Sequence, residues 1–202
     1  MKQDSTKEQA EKEVSLSIER LIYYAGWCDK FQQLYSTVNP VASSHFNFSA
    51  PEPTGVVSII APQNNSLIGL VSVIAPIIAG GNTCVVLASA SKPLCAVTFA
   101  EVLGTSDVPG GTINILTGKP GELLSWFSDH MDVNAIVFCE NDKEAILKIQ
   151  QKATLNLKRV LLWNNYNWLL ETAQNPYLIN DAQEIKTTWH PIENIGGAKA
   201  GY

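Results

Sequence analysis

Apolar residues recur at spacings of three and four along the first segment: Val14, Ile18, Leu21, Ala25, Cys28, Phe31 and Leu34. That period predicts an amphipathic helix, with Glu19, Arg20, Asp29 and Lys30 off the stripe. The helix should stop near Ser36, because Asn39-Pro40 cannot continue it. Two β-like runs follow, Val41 to Phe48 and Val56 to Ile60. Pro51 and Pro53 lie between them and predict an irregular bend.

From Val56 onward, short apolar runs without alternation trade places with helical patterns. Strands are expected at Val56–Ile60, Thr83–Leu87, Ile113–Leu116, Ala135–Phe138 and Val160–Trp163. Helices are expected at Ser66–Ala79, Pro93–Leu103, Gly121–Phe127 and Lys143–Ala153. Strands without a polar face, separated by helices, imply an α/β fold: a doubly wound parallel sheet covered on both sides. The rhythm breaks after Trp163. Gln183 to Ile192 returns to a strand composition and needs a partner outside the main sheet, for which Val41 to Phe48 is the candidate. The chain therefore divides into an N-terminal helix (1–40), a small β flap (41–55 with 181–193), an α/β core (56–165), a loop (166–180) and a tail (194–202).

Composition narrows the function classes. The 202 residues carry 14 Lys and Arg against 19 Asp and Glu, a net charge of −5. With a pI near 5.2 there is no basic face for nucleic acid or for an acidic membrane. The longest apolar stretch, Leu67 to Ala79, is too short for a membrane span, and the polar start lacks a signal-peptide core. Cys28, Cys84, Cys95 and Cys139 follow no zinc or redox spacing, and the last three sit in apolar runs as buried free thiols. A reducing cytoplasm is the expected location.

The familiar signs of chemistry are missing. There is no GxGxxG, no Walker loop and no GxSxG elbow, and no metal is expected. Gly80-Gly81 reads as a helix C-cap. His45, His130 and His190 stand apart. Glu140 and Asp142 follow the fourth core strand, where α/β sheets bind ligands, with Asp142 suited to cap the next helix and the pair as an alternative cation site. Trp163, Trp168 and Trp189 lack basic neighbours and read as core or subunit contacts.

Several motifs, in order over roughly residues 50 to 165, resemble the aldehyde dehydrogenase superfamily. Glu52-Pro53-Thr54-Gly55-Val56-Val57 is similar to E-P-x-G-V-V, and Ala61-Pro62-Gln63-Asn64 to A-P-W-N. Ala75-Pro76 with Ala79-Gly80-Gly81-Asn82-Thr83, and Val108-Pro109-Gly110-Gly111 with Asn114-Ile115-Leu116-Thr117-Gly118, resemble further family stretches. Glu184-Ile185-Lys186-Thr187-Thr188-Trp189 is similar to the family's last strand, which joins an oligomerisation flap. The organisation resembles the C-terminal, non-catalytic module of family-sixteen aldehyde dehydrogenases, in Tyr24-Ala25-Gly26-Trp27-Cys28-Asp29-Lys30 and in the ending Trp189-His190-Pro191-Ile192.

The departures carry the functional expectation. By this resemblance the lysine that holds the adenosine ribose is Ala88, and the following proline and glutamate are Ser89 and Ser91. The tryptophan of the first loop is Gln63, the phosphate-loop glycine is Glu140, and the general-base glutamate is Trp163. A carboxylate about 4 Å from a phosphate charge costs roughly 4 kcal/mol at a dielectric of about 20. That is about three decades of affinity. The resemblance implies remnant cofactor positions at Ala61, Asn64, Ser89, Gly118, Gly121 and Glu140, with Asn64 also a remnant of the oxyanion site. It implies no catalytic residue, and the domain with the cysteine nucleophile is missing.

The chain alone is expected to be no enzyme and to need no cofactor, with any NAD binding weak. The expected role is a non-catalytic domain that docks with a catalytic aldehyde dehydrogenase domain or with a second copy, through flap residues Phe46, Phe48, Ile185, Thr187 and Trp189. Proline at Thr188 should break that assembly and leave the monomer folded. The alternatives are an NAD-binding regulatory domain, or part of an NAD-dependent aldehyde oxidoreductase whose active site lies elsewhere in a longer polypeptide.

Overall fold

The computed structural model describes residues 5–192. The expected tail, 194–202, lies outside the described residues, as does position 193. Five parallel strands form the main sheet: β3 (Val56–Ile60), β4 (Thr83–Leu87), β5 (Ile113–Leu116), β6 (Ala135–Phe138) and β7 (Arg159–Leu162). Their order is β5-β4-β3-β6-β7. This is the doubly wound α/β fold expected of the apolar runs.

Side chains alternate across the pleat. Val57, Ile59, Cys84, Val86, Ala135 and Val137 pack one way, against Leu70, Val73, Ile74 and Ile77 of α3 (Leu67–Ala79) and Ala96 of α4 (Leu94–Gly104). Ile60, Leu87, Ile136 and Phe138 pack the other way, against Leu124 and Phe127 of α5 (Pro120–Asp129) and Ile149 of α6 (Lys143–Ala153). Helix α3 is apolar on nearly every side because it is covered twice, by the sheet and by the N-terminal helix. Gly80 ends it, and Gly81 at φ 84° supplies the left-handed turn into β4.

The N-terminal segment departs from the expected single helix. It forms α1 (Lys7–Ala25) and a short α2 (Phe31–Tyr35), joined by turns. Its buried stripe is also shifted. Ser17, Arg20 and Tyr24 face α3, while Val14 and Ile18 are 47% and 52% exposed. Polar pairing decides this rotation. Arg20 Nη1 donates to Ser72 Oγ at 2.9 Å, and Nη2 donates to the carbonyls of Trp168 and Leu170.

The flap is a three-stranded antiparallel sheet, β1 (Thr37–Asn39), β2 (His45–Pro53) and β8 (Gln183–Pro191), in the order β1-β2-β8. The pattern gave no hint of β1, and β2 runs later than Val41–Phe48 and straight through both prolines. They are tolerated for a geometric reason. Thr54 N–H donates to the Ala182 carbonyl and Ile192 N–H to the Ser44 carbonyl, so even-numbered pairs carry the β2–β8 hydrogen bonds. Pro51 and Pro53 oppose Ile185 and Gln183, in odd pairs where no N–H is needed.

The expected loop at 166–180 is partly ordered as helix. It holds a 3-10 turn (Glu171–Ala173) and the start of α7 (Tyr177–Asp181). Trp168, Ala173 and Leu178 from this segment join the core beside α3. Burial of those side chains gives the backbone a reason to coil.

A cleft capped by the protein's own carboxylates

The strand order reverses between the β3–β4 side and the β3–β6 side of the sheet. Open α/β sheets bind ligands at that switch, beyond the carboxyl ends of the strands. Three loops meet there: 61–66 after β3, 88–93 after β4 and 139–142 after β6.

Gln63 ties them together. Its backbone N–H donates to Glu140 Oε1 at 2.7 Å. Its carbonyl accepts from Ser89 Oγ at 2.7 Å and Ser91 Oγ at 2.9 Å. Its side-chain Oε1 accepts from Ala90 N–H, and its Nε2 donates to the Ala61 carbonyl, both at 2.8 Å. Lys92 Nζ reaches the Asn64 carbonyl. Gln63 is thus the centre of a polar knot, with both backbone groups and both amide atoms engaged.

Carboxylates also cap two of the helices that begin at this edge, α3 and α6. Asp142 Oδ1 accepts from Glu144 N–H at 3.0 Å and Ala145 N–H at 3.1 Å, so it is the N-cap of α6. Glu13 reaches across from α1 and accepts from Ile68 N–H of α3 at 3.1 Å. A helix N-terminus favours an anion by about 0.3–1 kcal/mol, and here the anion is a side chain. Glu140, Asp142 and Glu13 together hold N–H groups of the kind that nucleotide folds turn toward phosphate.

The remaining sequence-derived positions fall as follows. Ala61 and Ser89 are buried in this knot, and Asn64 is an exposed turn residue. A Cβ on Gly121 would meet nothing and one on Gly118 only side chains at 3.8 Å, so close approach demands neither glycine. Glu140 and Asp142 do not converge on a common cation, and no group of three or more His, Cys, Asp or Glu side chains could hold a metal among the described residues.

Trp163, which the resemblance sets against a general base, is buried and donates Nε1–H to Asp181 Oδ2 at 3.0 Å. Trp168 is buried beside it, whereas Trp189 stands 56% exposed on the flap. Burial pushes the Cys84 thiol up to about 12 and the Cys139 thiol well above its usual value, so both are inert packing groups. Cys95 is only half-buried and Cys28 is exposed. Sequence reasoning missed the reach of Glu13, the Gln63 knot and the buried Arg20. The one available signal was an arginine and a glutamate on a helix face that had to meet something.

The five flap residues are not one surface. Phe46 and Phe48 lie on one face with His190, whose ring stacks on Phe48 at 5.8 Å. Ile185, Thr187 and Trp189 lie on the other, opposite Pro51, Ser49 and Asn47. Among the described residues, no helix is long and apolar enough to cross a membrane.

Comparison with known proteins agrees with this architecture. Residues 1–165 match the model of the aldehyde dehydrogenase family. Cytosolic 10-formyltetrahydrofolate dehydrogenase from Xenopus tropicalis is 35% identical over 150 residues, 74% of this chain and 17% of that protein. The mitochondrial 10-formyltetrahydrofolate dehydrogenase of Homo sapiens is 33% identical over 150 residues, 74% of this chain and 16% of that protein. Among solved structures, PnpE from Pseudomonas sp. WBC-3 superposes with a TM-score of 0.69 at 28% identity, over 74% of this chain and 30% of that one. Betaine aldehyde dehydrogenase from Staphylococcus aureus, solved with NAD+, gives 0.71 at 26% identity, over 78% of this chain and 31% of that one. The chain thus spans about a sixth of these curated relatives and under a third of these solved chains.

Proposed function

The chain belongs to the aldehyde dehydrogenase family, and on that premise we propose that it is a non-catalytic docking domain of the family. It assembles with a catalytic aldehyde dehydrogenase module or with a second copy of itself. The observation that carries the reading is the Glu140–Gln63 contact at the switch point of the sheet. A dinucleotide's phosphates need backbone N–H groups and room at that place. Here the N–H is taken by a carboxylate, whose charge repels a phosphate. The residues present do not fit NAD.

Two further features support the same reading. Trp163 cannot serve as a base, because indole only donates, and its N–H is committed to Asp181. The flap strand β8 presents an outer backbone edge with no strand paired to it among the described residues, beyond the Gln183 carbonyl that Arg159 occupies, and such edges recruit strands from other chains.

The expected proline test moves by one position. Even-numbered residues of β8 bond to β2, so proline at Thr188 breaks the flap itself. Proline at Thr187 removes an outward N–H and keeps the β2–β8 backbone bonds, losing only the Thr187 Oγ1–Ser49 Oγ contact at 2.7 Å. The purified chain, given NAD and a simple aldehyde, should produce no NADH. Mixed with a full-length family member, it should co-elute with it, and T187P should not. NADH production by the chain alone overturns the reading.

A further inference from the structure

Helix α1 buries polar side chains and exposes apolar ones. Its inner side carries Ser17, Arg20 and Tyr24. Its outer side carries Val14, Ile18, Ile22 and Ala25, all exposed, with partly buried Leu21 at the margin. Leu21 and Ala25 continue into an apolar cleft of about 420 Å³ lined also by Ile78, Val108 and Pro109. A continuous apolar stripe on the outside of a helix marks a contact surface. We infer that α1 packs antiparallel against α1 of a second copy of this chain, about a two-fold axis between Ile18 and Leu21. This surface is separate from the flap and goes beyond the docking role proposed above.

Charge selects the occupant. Along the outer side Lys7, Glu11, Val14, Ile18, Leu21 and Ala25 recur at alternating spacings of four and three, the pattern of a helix seam. The first two positions are charged and the last four apolar. Two such helices running antiparallel lay the apolar block on itself. Ile18 meets the partner's Leu21, and Val14 meets the partner's Ala25. Glu11, already beside Lys7 of its own helix, then passes to the C-terminal end of the partner's α1. That end of each helix holds Lys30, whose Nζ donates to the Gly26 carbonyl. Glu11 and Lys30 are both exposed, so an acid meets a base at each end of the pair. The opposed helix dipoles add to the match.

Other arrangements lose this complementarity. Parallel pairing sets Glu11 against the partner's Glu11 and Lys7 against the partner's Lys7, like charges at both positions. Sliding the antiparallel pair one way sets Glu11 on the partner's Leu21, a charge against an apolar side chain. Sliding it the other way carries Val14 past the end of the partner's helix. The stripe and its charges complement themselves, which is the condition for a closed two-fold dimer.

The test uses the full chain. Sedimentation over a dilution series should show a mass rising to twice 22.0 kDa. I18E, at an exposed position, should stay monomeric with an unchanged thermal midpoint. If it does not fold, charge reversal replaces it. E11K and K30E should each raise the dimer dissociation constant, and E11K/K30E should restore it. T187P, which acts at the flap edge, should leave this dimer intact. A native chain that stays monomeric at every concentration overturns the helix pairing. So does a dimer that survives I18E; if T187P abolishes that dimer, the flap holds it. A monomer that co-elutes with a full-length aldehyde dehydrogenase, and loses this with I18E, gives the stripe to that partner and overturns self-pairing. Co-elution that T187P leaves unchanged counts against the flap docking and leaves the helix pairing standing.

Discussion

Leu157 holds a φ of 55° and is 93% exposed. Lys158 N–H donates back to the Ala153 carbonyl, which closes a helix C-terminal turn whose left-handed position is normally glycine. The leucine costs about 1 kcal/mol there and packs against nothing that would repay it. Leu157→Gly is therefore expected to raise stability by about 1 kcal/mol, read as a higher urea midpoint. Glu140→Ala should do the reverse. It leaves the Gln63 N–H without its charged acceptor, at a cost of about 1–3 kcal/mol in the same measurement. Residue identity at the cleft was legible: Gln63, Ser89, Ser91 and Glu140 stand out as polar residues in the loops after β3, β4 and β6. The direction of the Glu140 side chain was not. It depends on where a loop 77 residues away presents its N–H. Arg20 is the sharper case. As a charge on a helix it read as solvated, yet it is buried, with its desolvation offset by one hydroxyl and two carbonyls.

Helices α5 and α6 are clamped together by Lys152, which donates to both Asp129 and Ser125. That hydrogen bond holds the Asp129 carboxyl below its ordinary value. Asp129 stays ionised in the fold at a pH where the unfolded chain would protonate it, so unfolding takes up a proton. Its contribution is fully present above the ordinary carboxylate range and is lost as pH falls through the folded value. Thermal melts between about pH 5 and about pH 3 should fall less steeply for Asp129→Asn than for the native chain. The core strands and helices were legible because their apolar runs are short, continuous and bounded by turn residues. The flap and the N-terminus were less so. Period alone cannot say which face of α1 is buried when Arg20 and Ser17 outcompete Val14 and Ile18 for α3. Nor can it say that Pro51 and Pro53 sit in a strand, since that depends on which pairs carry hydrogen bonds.

At the scale of the molecule, the chain keeps the sheet and helices of a nucleotide-type fold and turns its own carboxylates onto the N–H groups at the switch point. Arg159 and Trp163 at the end of the core bind Glu184 and Asp181, and so fix the flap to the sheet. The fold class and the flap pairing could be inferred from pattern and resemblance. The closure of the cleft could not, because it is made by contacts between α1 and α3 and between the loops after β3, β4 and β6, which are distant in sequence. The most direct test of the closed cleft is calorimetric titration of the purified chain with NAD. No heat of binding up to millimolar cofactor is the result predicted. Saturable binding would contradict the account, because it requires Glu140 to leave Gln63 and the cleft to accept phosphate.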